Sequence, residues 1–331
     1  MEELHKPVLL EEVIRGLAPK VDESYLDLTA GYAGHASKIL AAVRDYKSSV
    51  LVDRDEFAIK HLTTKYPDGE VVQPEHSDVH TLEEAKGLMI VKSDFYNAAR
   101  LLIECGRKFD MILADFGVSS PQVDNSERGF SFLKPGPLDM RMDQTQSLTA
   151  SDIVNKWSPR ELERIFMEYG EESEGLAKKH ARTIIEGRPW NDTKELADRI
   201  AYGKHQSKSK ALAFSDETGK VESKKRFGKH PATQVFQAIR IAVNDELGII
   251  ERTLPLLPKL LNPGGRVAII TFHSLEDRLV KNYFREVSTL GQESELIQIT
   301  KSPISAEKLE LVINPRSRSA KLRIAMKPTN N

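Results

Sequence analysis

The sequence predicts an α/β fold, a sheet of buried strands interrupted by an inserted run of helices. Three observations predict it. Phe109 to Ala114 (FDMILA) is a short apolar run that stops abruptly at Asp115, the pattern of a parallel strand covered on both faces. Ser24 to Ala30 (SYLDLTA) runs into Gly31, Tyr32, Ala33, Gly34 and His35 and then into the apolar helix SKILAAV, which gives strand, glycine loop and helix in succession. Between Ser151 and Tyr202 four helical patterns follow one another, 151–156, 158–169, 172–186 and 193–202, with no strand among them.

Each remaining element follows from its own pattern. Val8 to Leu17 alternates apolar and acidic residues at helical spacing, and Pro19 closes that helix. Ser49 to Val52 is a second strand, ending in Asp53. Tyr66 to Thr81 is polar and rich in turn residues and reads as a surface excursion, where His61, His76 and His80 lack metal spacing and read as exposed loop histidines. Leu88 to Val91 is a third strand, followed by Asp94, Phe95 and a helix from Asn97 to Cys105. Pro231 starts a long helix whose apolar stripe is Phe236, Ile239, Val243, Leu247 and Ile250, with Gln237, Arg240 and Asn244 on a face that is either solvent or the floor of a site. Asn262 to Gly265 turns the chain into a fifth buried strand, RVAIITF, which delivers His273, Ser274, Glu276 and Asp277. Glu295 to Thr300 and Leu322 to Met326 close the sheet.

Composition narrows the function classes. The 331 residues carry a formal net charge of −1, so attraction to nucleic acid must be local. No run is long and apolar enough for a membrane span, the start of the chain has no signal layout, and a soluble cytoplasmic protein is expected. One cysteine, Cys105, excludes intramolecular disulfides and cysteine-rich metal sites, and no metal is expected. The stretch 204–230 holds Lys204, Lys208, Lys210, Lys220, Lys224, Lys225, Arg226 and Lys229 against Asp216, Glu217 and Glu222; it reads as a mobile basic loop that meets phosphates, or as a solvated linker.

The chemistry concentrates at strand ends. In open α/β sheets ligands sit beyond the carboxyl ends of the strands, so Asp115, followed by Gly117, Ser119, Ser120 and Pro121, is a site candidate, with a cap or turn acid as the alternative. Asp53 lies about twenty residues beyond the glycine loop, where an acid accepts hydrogen bonds from ribose hydroxyls. Phe95 is either a face for an adenine or a core residue. The segment from Gly129 to Asp143 holds Pro135, Gly136 and Pro137 beside Phe130, Phe132, Leu138, Met140 and Met142, which suits a functional irregular segment better than disorder.

Three stretches, GVSSPQVDNSERGFSFLKPGPLDMRMD, HPATQVFQAIRIAVNDEL and PGGRVAIITFHSLEDRLVK, resemble the signature blocks of the bacterial 16S rRNA (cytosine(1402)-N(4))-methyltransferase family. The resemblance runs from HKPVLL near the N-terminus to the closing RSRSAKLRIA. It implies a class I S-adenosylmethionine-dependent methyltransferase, a Rossmann-like seven-stranded sheet with an inserted helical domain: core over 1–143, a helical substrate-binding insertion over 144–230 with its basic loop, and core again over 231–331. It implies S-adenosyl-L-methionine as donor and a cytosine of the decoding region in 16S ribosomal RNA as acceptor, within the small ribosomal subunit, with a homodimer left open. By the match, Ala33, Gly34 and His35 hold the methionine part of the donor, Asp53 the ribose and Phe95 the adenine, while Asp115 and Gln122 lie by the reacting end. The sequence departs from the family twice, with Ala33 where a glycine is usual and with a longer stretch from Tyr66 to Val91.

Rival readings fit less well. A nicotinamide dehydrogenase shares the glycine loop but not a closing antiparallel strand, and DFGVSSPQ lacks the two prolines and aromatic of DNA amino-methyltransferases. A non-catalytic RNA-binding module has no need of a glycine loop together with Asp53 and Asp115. Methylation of ring carbon 5 needs a thiolate, and Cys105 lies at the amino edge of the sheet, the wrong end. An exocyclic amine instead needs a proton acceptor: Asp115 leads, a Ser119 or Ser120 hydroxyl or a loop carbonyl is the alternative, and Asp139 is weaker.

Overall fold

The computed structural model describes residues 7–74, 87–202, 230–289 and 293–329, and the chain divides into two compact units, Met1–Ser119 with Glu246–Asn331, and Ser120–Asp245. The second unit is wider on both sides than the insertion expected over 144–230.

The first unit is built on an eight-stranded sheet. Its strands are β1 (Tyr25–Asp27), β2 (Val50–Asp53), β3 (Glu70–Val72), β4 (Met89–Lys92), β5 (Phe109–Asp115), β6 (Leu261–Thr271), β7 (Ile297–Gln298) and β8 (Lys321–Met326), in the order β3-β4-β2-β1-β5-β6-β8-β7. All neighbours are parallel except the two pairs made by β8. Helix α1 (Leu10–Leu17) precedes β1, and α2 (Gly34–Val43), α3 (Glu56–Lys65) and α4 (Phe95–Glu104) supply crossovers of the first half. Strand residues alternate between two buried clusters. Leu26, Val52, Ile112 and Ile269 face one side of the sheet, and Tyr25, Leu51, Met111, Leu113 and Ile270 the other, which is why these strands read as continuous apolar runs. The order reverses between β1 and β5, so the loops leaving those two strands diverge and open a crevice at their carboxyl ends.

Several boundaries differ from expectation. The sheet has eight strands rather than seven because β3 pairs with β4 inside the polar stretch read as a surface excursion. Only Val72 of β3 is buried, so no alternation marks it in the sequence. The first strand is three residues long, although Leu28 and Ala30 still donate backbone hydrogen bonds to Leu113 and Val52. The first closing strand shrinks to Ile297–Gln298. His61 lies on α3, its ring 5.1 Å from that of Tyr32, and not in a loop. His76 and His80 lie outside the described residues.

The second unit packs its helices around Ile153, Leu162, Phe166, Ile184, Leu196, Phe236 and Ile239. They are α5 (Ser120–Asp124), α6 (Ala150–Lys156), α7 (Pro159–Glu168), α8 (Glu174–Gly187), α9 (Thr193–Tyr202) and α10 (Ala232–Asn244). Thr149 with Asp152, and Ser158 with Glu161, form reciprocal capping boxes that start α6 and α7. The irregular segment before them is folded, with Leu138 and Met140 buried in this core. Asn244 holds it by accepting from the Met142 N–H and donating to the Met140 carbonyl, while the Arg128 guanidinium donates to the carbonyls of Arg141 and Met142. These contacts, together with α10, widen the unit beyond 144–230.

The long helix expected from Pro231 is two helices, α10 and α11 (Glu246–Thr253), separated by Asp245 in the left-handed region at φ 49°. Its apolar stripe is therefore shared out. Phe236, Ile239 and Val243 belong to the second unit's core, Leu247 and Ile250 to the first unit's. A short α12 (Leu257–Leu260) leads into β6, α13 (Ser274–Ser288) follows β6, and α14 (Lys308–Ile313) precedes β8.

Candidate active site

The glycine loop joins β1 to α2 through two left-handed residues, Gly31 at φ 50° and Ala33 at φ 59°. Ala33 is the N-cap of α2 and is fully buried, so the loop accepts the methyl group at a conformational cost of about 1–2 kcal/mol. Gly34 is constrained by contact instead. A Cβ there would lie 2.8 Å from Cγ of Pro7. The first turn of α2 presents the backbone N–H groups that a helix leaves without intrahelical partners, a setting suited to a carboxylate.

Three carboxyl groups gather at the ends of the adjacent strands β2, β1 and β5. Asp53 accepts from the Gly31 N–H (2.8 Å) and from the Asp55 N–H (2.8 Å), so it ties the glycine loop to the end of β2. Burial outweighs these bonds and pushes its pKa up to about 6. Asp27 accepts from the Tyr25 hydroxyl (2.7 Å) and the Thr29 N–H (3.1 Å), and burial, with Asp53 adding to it, pushes it up to about 7. Asp115 is raised well above the ordinary range, first by burial and then by Asp27 and Glu276. Its backbone N–H donates to the Thr29 hydroxyl (2.6 Å), and its Oδ1 is buried with no hydrogen-bond partner among the described residues. The His35 ring donates from Nε2 to the Val8 carbonyl (2.9 Å), which turns Nδ1 toward Asp115 Oδ2 at 3.8 Å. Burial of these neighbouring acids disfavours their ionised forms, a setting that a cationic ligand would relieve.

The other residues singled out from sequence have definite places. Phe95 opens α4 at the end of β4, half-buried, its ring 5.3 Å from that of Phe116. Asp94 beside it caps the helix, accepting from the N–H groups of Tyr96 and Asn97 and from the Asn97 side chain. Ser119 ends the first unit. Ser120 and Gln122 lie buried on α5 of the second. Asp139, also in the second unit, gives both oxygens to Arg141 at 2.9 and 2.7 Å; burial opposes ionisation there, but these bonds outweigh it and hold the pKa below the usual range. Both oxygens of Asp139 are thus engaged by Arg141. Cys105 is the C-cap of α4, four residues before β5 begins, at the amino edge of the sheet. The basic residues from Lys204 to Lys229 lie outside the described residues.

Sequence reading passed over Asp27, Thr29 and the role of Glu276. An acid inside an otherwise apolar strand was the available signal for Asp27. Glu276 is fully buried and accepts from the Phe272 N–H (2.7 Å) and the His273 N–H (3.2 Å), closing a capping box at the start of α13. Nothing in its spacing showed that it also faces Asp115.

The parallel sheet reversing between β1 and β5, the antiparallel β8 between β6 and β7, and a crevice of glycine loop and strand-end acids define a class I S-adenosylmethionine-dependent methyltransferase. A dehydrogenase sheet lacks that inserted antiparallel strand. The chain belongs to the MraW methylase family, whose model matches residues 2–328. It is 44% identical to the ribosomal RNA small subunit methyltransferase H of Nostoc sp., over 98% of this chain and 92% of that protein. The protein of the same name from Nostoc punctiforme is 44% identical, over 99% and 96%. Among solved structures, a putative rRNA-methylase from Clostridium thermocellum covers 98% of both chains at 9% identity and a TM-score of 0.42.

Proposed function

We propose that this methyltransferase modifies the N4 amine of a cytosine in the decoding region of 16S ribosomal RNA, acting on the small ribosomal subunit in the bacterial cytoplasm. The near end-to-end family match supports the substrate class. The observation that carries the chemistry is Asp115, with a buried oxygen lacking a partner at the end of β5, while the chain's single thiol lies at the other end of that strand. Seven strand residues at ~3.3 Å each put roughly 20 Å between the two ends. A route through a thiolate adduct on ring carbon 5 is therefore not served by this crevice.

When bound, S-adenosylmethionine supplies a methyl group on a positively charged sulfur. Ala33, Gly34 and His35 would hold its methionine part, Asp53 its ribose, Phe95 its adenine, and Gln122 would lie near the reacting end. Asp115 does the proton work. The amine lone pair is delocalised into the cytosine ring, so catalysis consists of orienting the N–H groups and accepting one of them as positive charge develops on nitrogen. Asp115 is held by its backbone bond to Thr29 and stands beside His35. Its Oδ1 is buried without a hydrogen-bond partner among the described residues and is the acceptor proposed for the amine N–H. Ser119 and Ser120 hydroxyls are the alternative acceptors.

Asp115→Ala should lower kcat by about a hundredfold or more at saturating donor and RNA, the range for a general base, whereas Cys105→Ser should keep full activity. Incubation with labelled donor and purified small subunits, followed by nucleoside mass spectrometry, should place the methyl on N4. A 5-methylcytosine product, or an inactive but folded Cys105→Ser protein, would overturn the assignment.

A further inference from the structure

The start of α1 is capped from the far end of the chain. Its N-cap residue, Leu9, is buried in the left-handed region at φ 55° and has no side chain that could bond the first turn. The Leu9 N–H donates instead to Oε1 of Glu310, at 2.7 Å and 301 residues away in sequence. In a capping box that N–H is taken by a glutamate on the helix's own third residue. Here a carboxylate on α14 fills the role and adds negative charge near the positive end of the helix dipole.

What that bond fixes is the chain just before it. Pro7 packs on the Gly34 backbone closely enough to exclude a side chain there, and the Val8 carbonyl accepts from His35 Nε2 at 2.9 Å. Pro7, Val8 and Leu9 thus form a strap across the loop that opens α2, and its last residue is held in a left-handed conformation that leucine disfavours. α14 buries none of its side chains, and Glu310 is its only residue that is not exposed.

We propose that Glu310 is a positioning residue for the donor-binding loop: by accepting the Leu9 N–H it seats the Pro7–Leu9 strap against Gly34 and His35. This rests on the reading that the loop holds the donor. Loss of the carboxylate frees the strap to leave the left-handed conformation, so Gly34 and His35 lose the contacts that pre-form the site. Donor affinity falls while the reacting groups stay intact.

Glu310→Ala should raise the donor Kd and KM about five- to tenfold, with kcat at saturating donor within about twofold of the parent. Glu310→Gln keeps an oxygen able to accept the same N–H and should restore donor affinity. A general loss of stability would not separate these two variants. Glu310→Asp withdraws the carboxylate by one methylene and should fall between them, which preserves the test if the alanine variant does not fold. Asp53→Ala, measured in the same calorimetric titration, should weaken donor binding about tenfold or more. Parent-like donor affinity in Glu310→Ala, or a Glu310→Gln variant as weak as Glu310→Ala, sinks the strap when Asp53→Ala still weakens binding. If Asp53→Ala also binds normally, the donor site itself has been misplaced.

Discussion

Asp27 has both oxygens hydrogen-bonded and yet titrates far from its ordinary value, because two neutral donors do not replace the water lost on burial. The consequence for stability has a definite sign. Its folded pKa of about 7 lies above its ordinary value of 3.8, so the folded state holds the proton more tightly. The stabilisation is complete below the unfolded pKa and is lost as pH rises through the folded one. Asp53 acts the same way over the narrower window between 3.8 and about 6. Asp277 acts oppositely. Burial raises it, but its bonds to Arg323 and Lys321 outweigh that, so its contribution appears above the unfolded pKa and is lost on acidification. A single profile mixes these effects, and a difference separates them. Relative to the parent without donor, Asp27→Asn should gain stability steadily from about pH 4 to about pH 7, followed by urea unfolding. A constant difference across that range would show that Asp27 does not titrate there.

The loop between β1 and α2 contains two small residues with unlike reasons for being small. Ala33 occupies a left-handed position at a cost of about 1–2 kcal/mol, while burying its methyl returns about 0.8 kcal/mol. These nearly cancel. Ala33→Gly should therefore change unfolding free energy by less than about 1 kcal/mol and leave donor affinity intact. Gly34→Ala has no such balance, since its methyl must push Pro7 away. It should weaken donor binding severalfold even where the protein remains folded, and calorimetry on the two variants decides the matter. A strong effect at Ala33 with none at Gly34 would reverse the assignment. The break at Asp245 was hidden from sequence for a related reason: the apolar stripe continues in phase through it, and only the left-handed backbone sends its two halves into different cores.

Across the whole chain a net charge of −1 gives no long-range pull on RNA, so electrostatic affinity has to come from local clusters. Lys224, Lys225 and Arg226 form the densest one in the sequence. Replacing all three with alanine should weaken RNA binding and flatten its salt dependence by up to about 2–3 units of slope, since each neutralised phosphate contributes roughly 0.7 to 0.9. Donor binding should be unaffected. An unchanged slope would make the segment a linker. No described helix is long and apolar enough to cross a membrane.

The sequence by itself determined the elements whose cause is local. Apolar runs marked the central strands, helical spacing marked the helices of the second unit, and glycine, alanine and strand-end acids marked the crevice. Leu138, Met140 and Met142 also announced that an irregular segment would be packed. Tertiary structure decided whatever depends on partners distant in the chain. β3 exists because β4 offers it an edge, and Asp27 becomes a site residue because two neighbouring strands end beside it. Asp139 is engaged by the fork of Arg141, a conformation that spacing does not encode. Glu310 reaches Leu9 across almost the whole chain. Burial and hydrogen bonding are properties of assembled surroundings, and a pattern read along the chain carries only the part of them that repeats at short range.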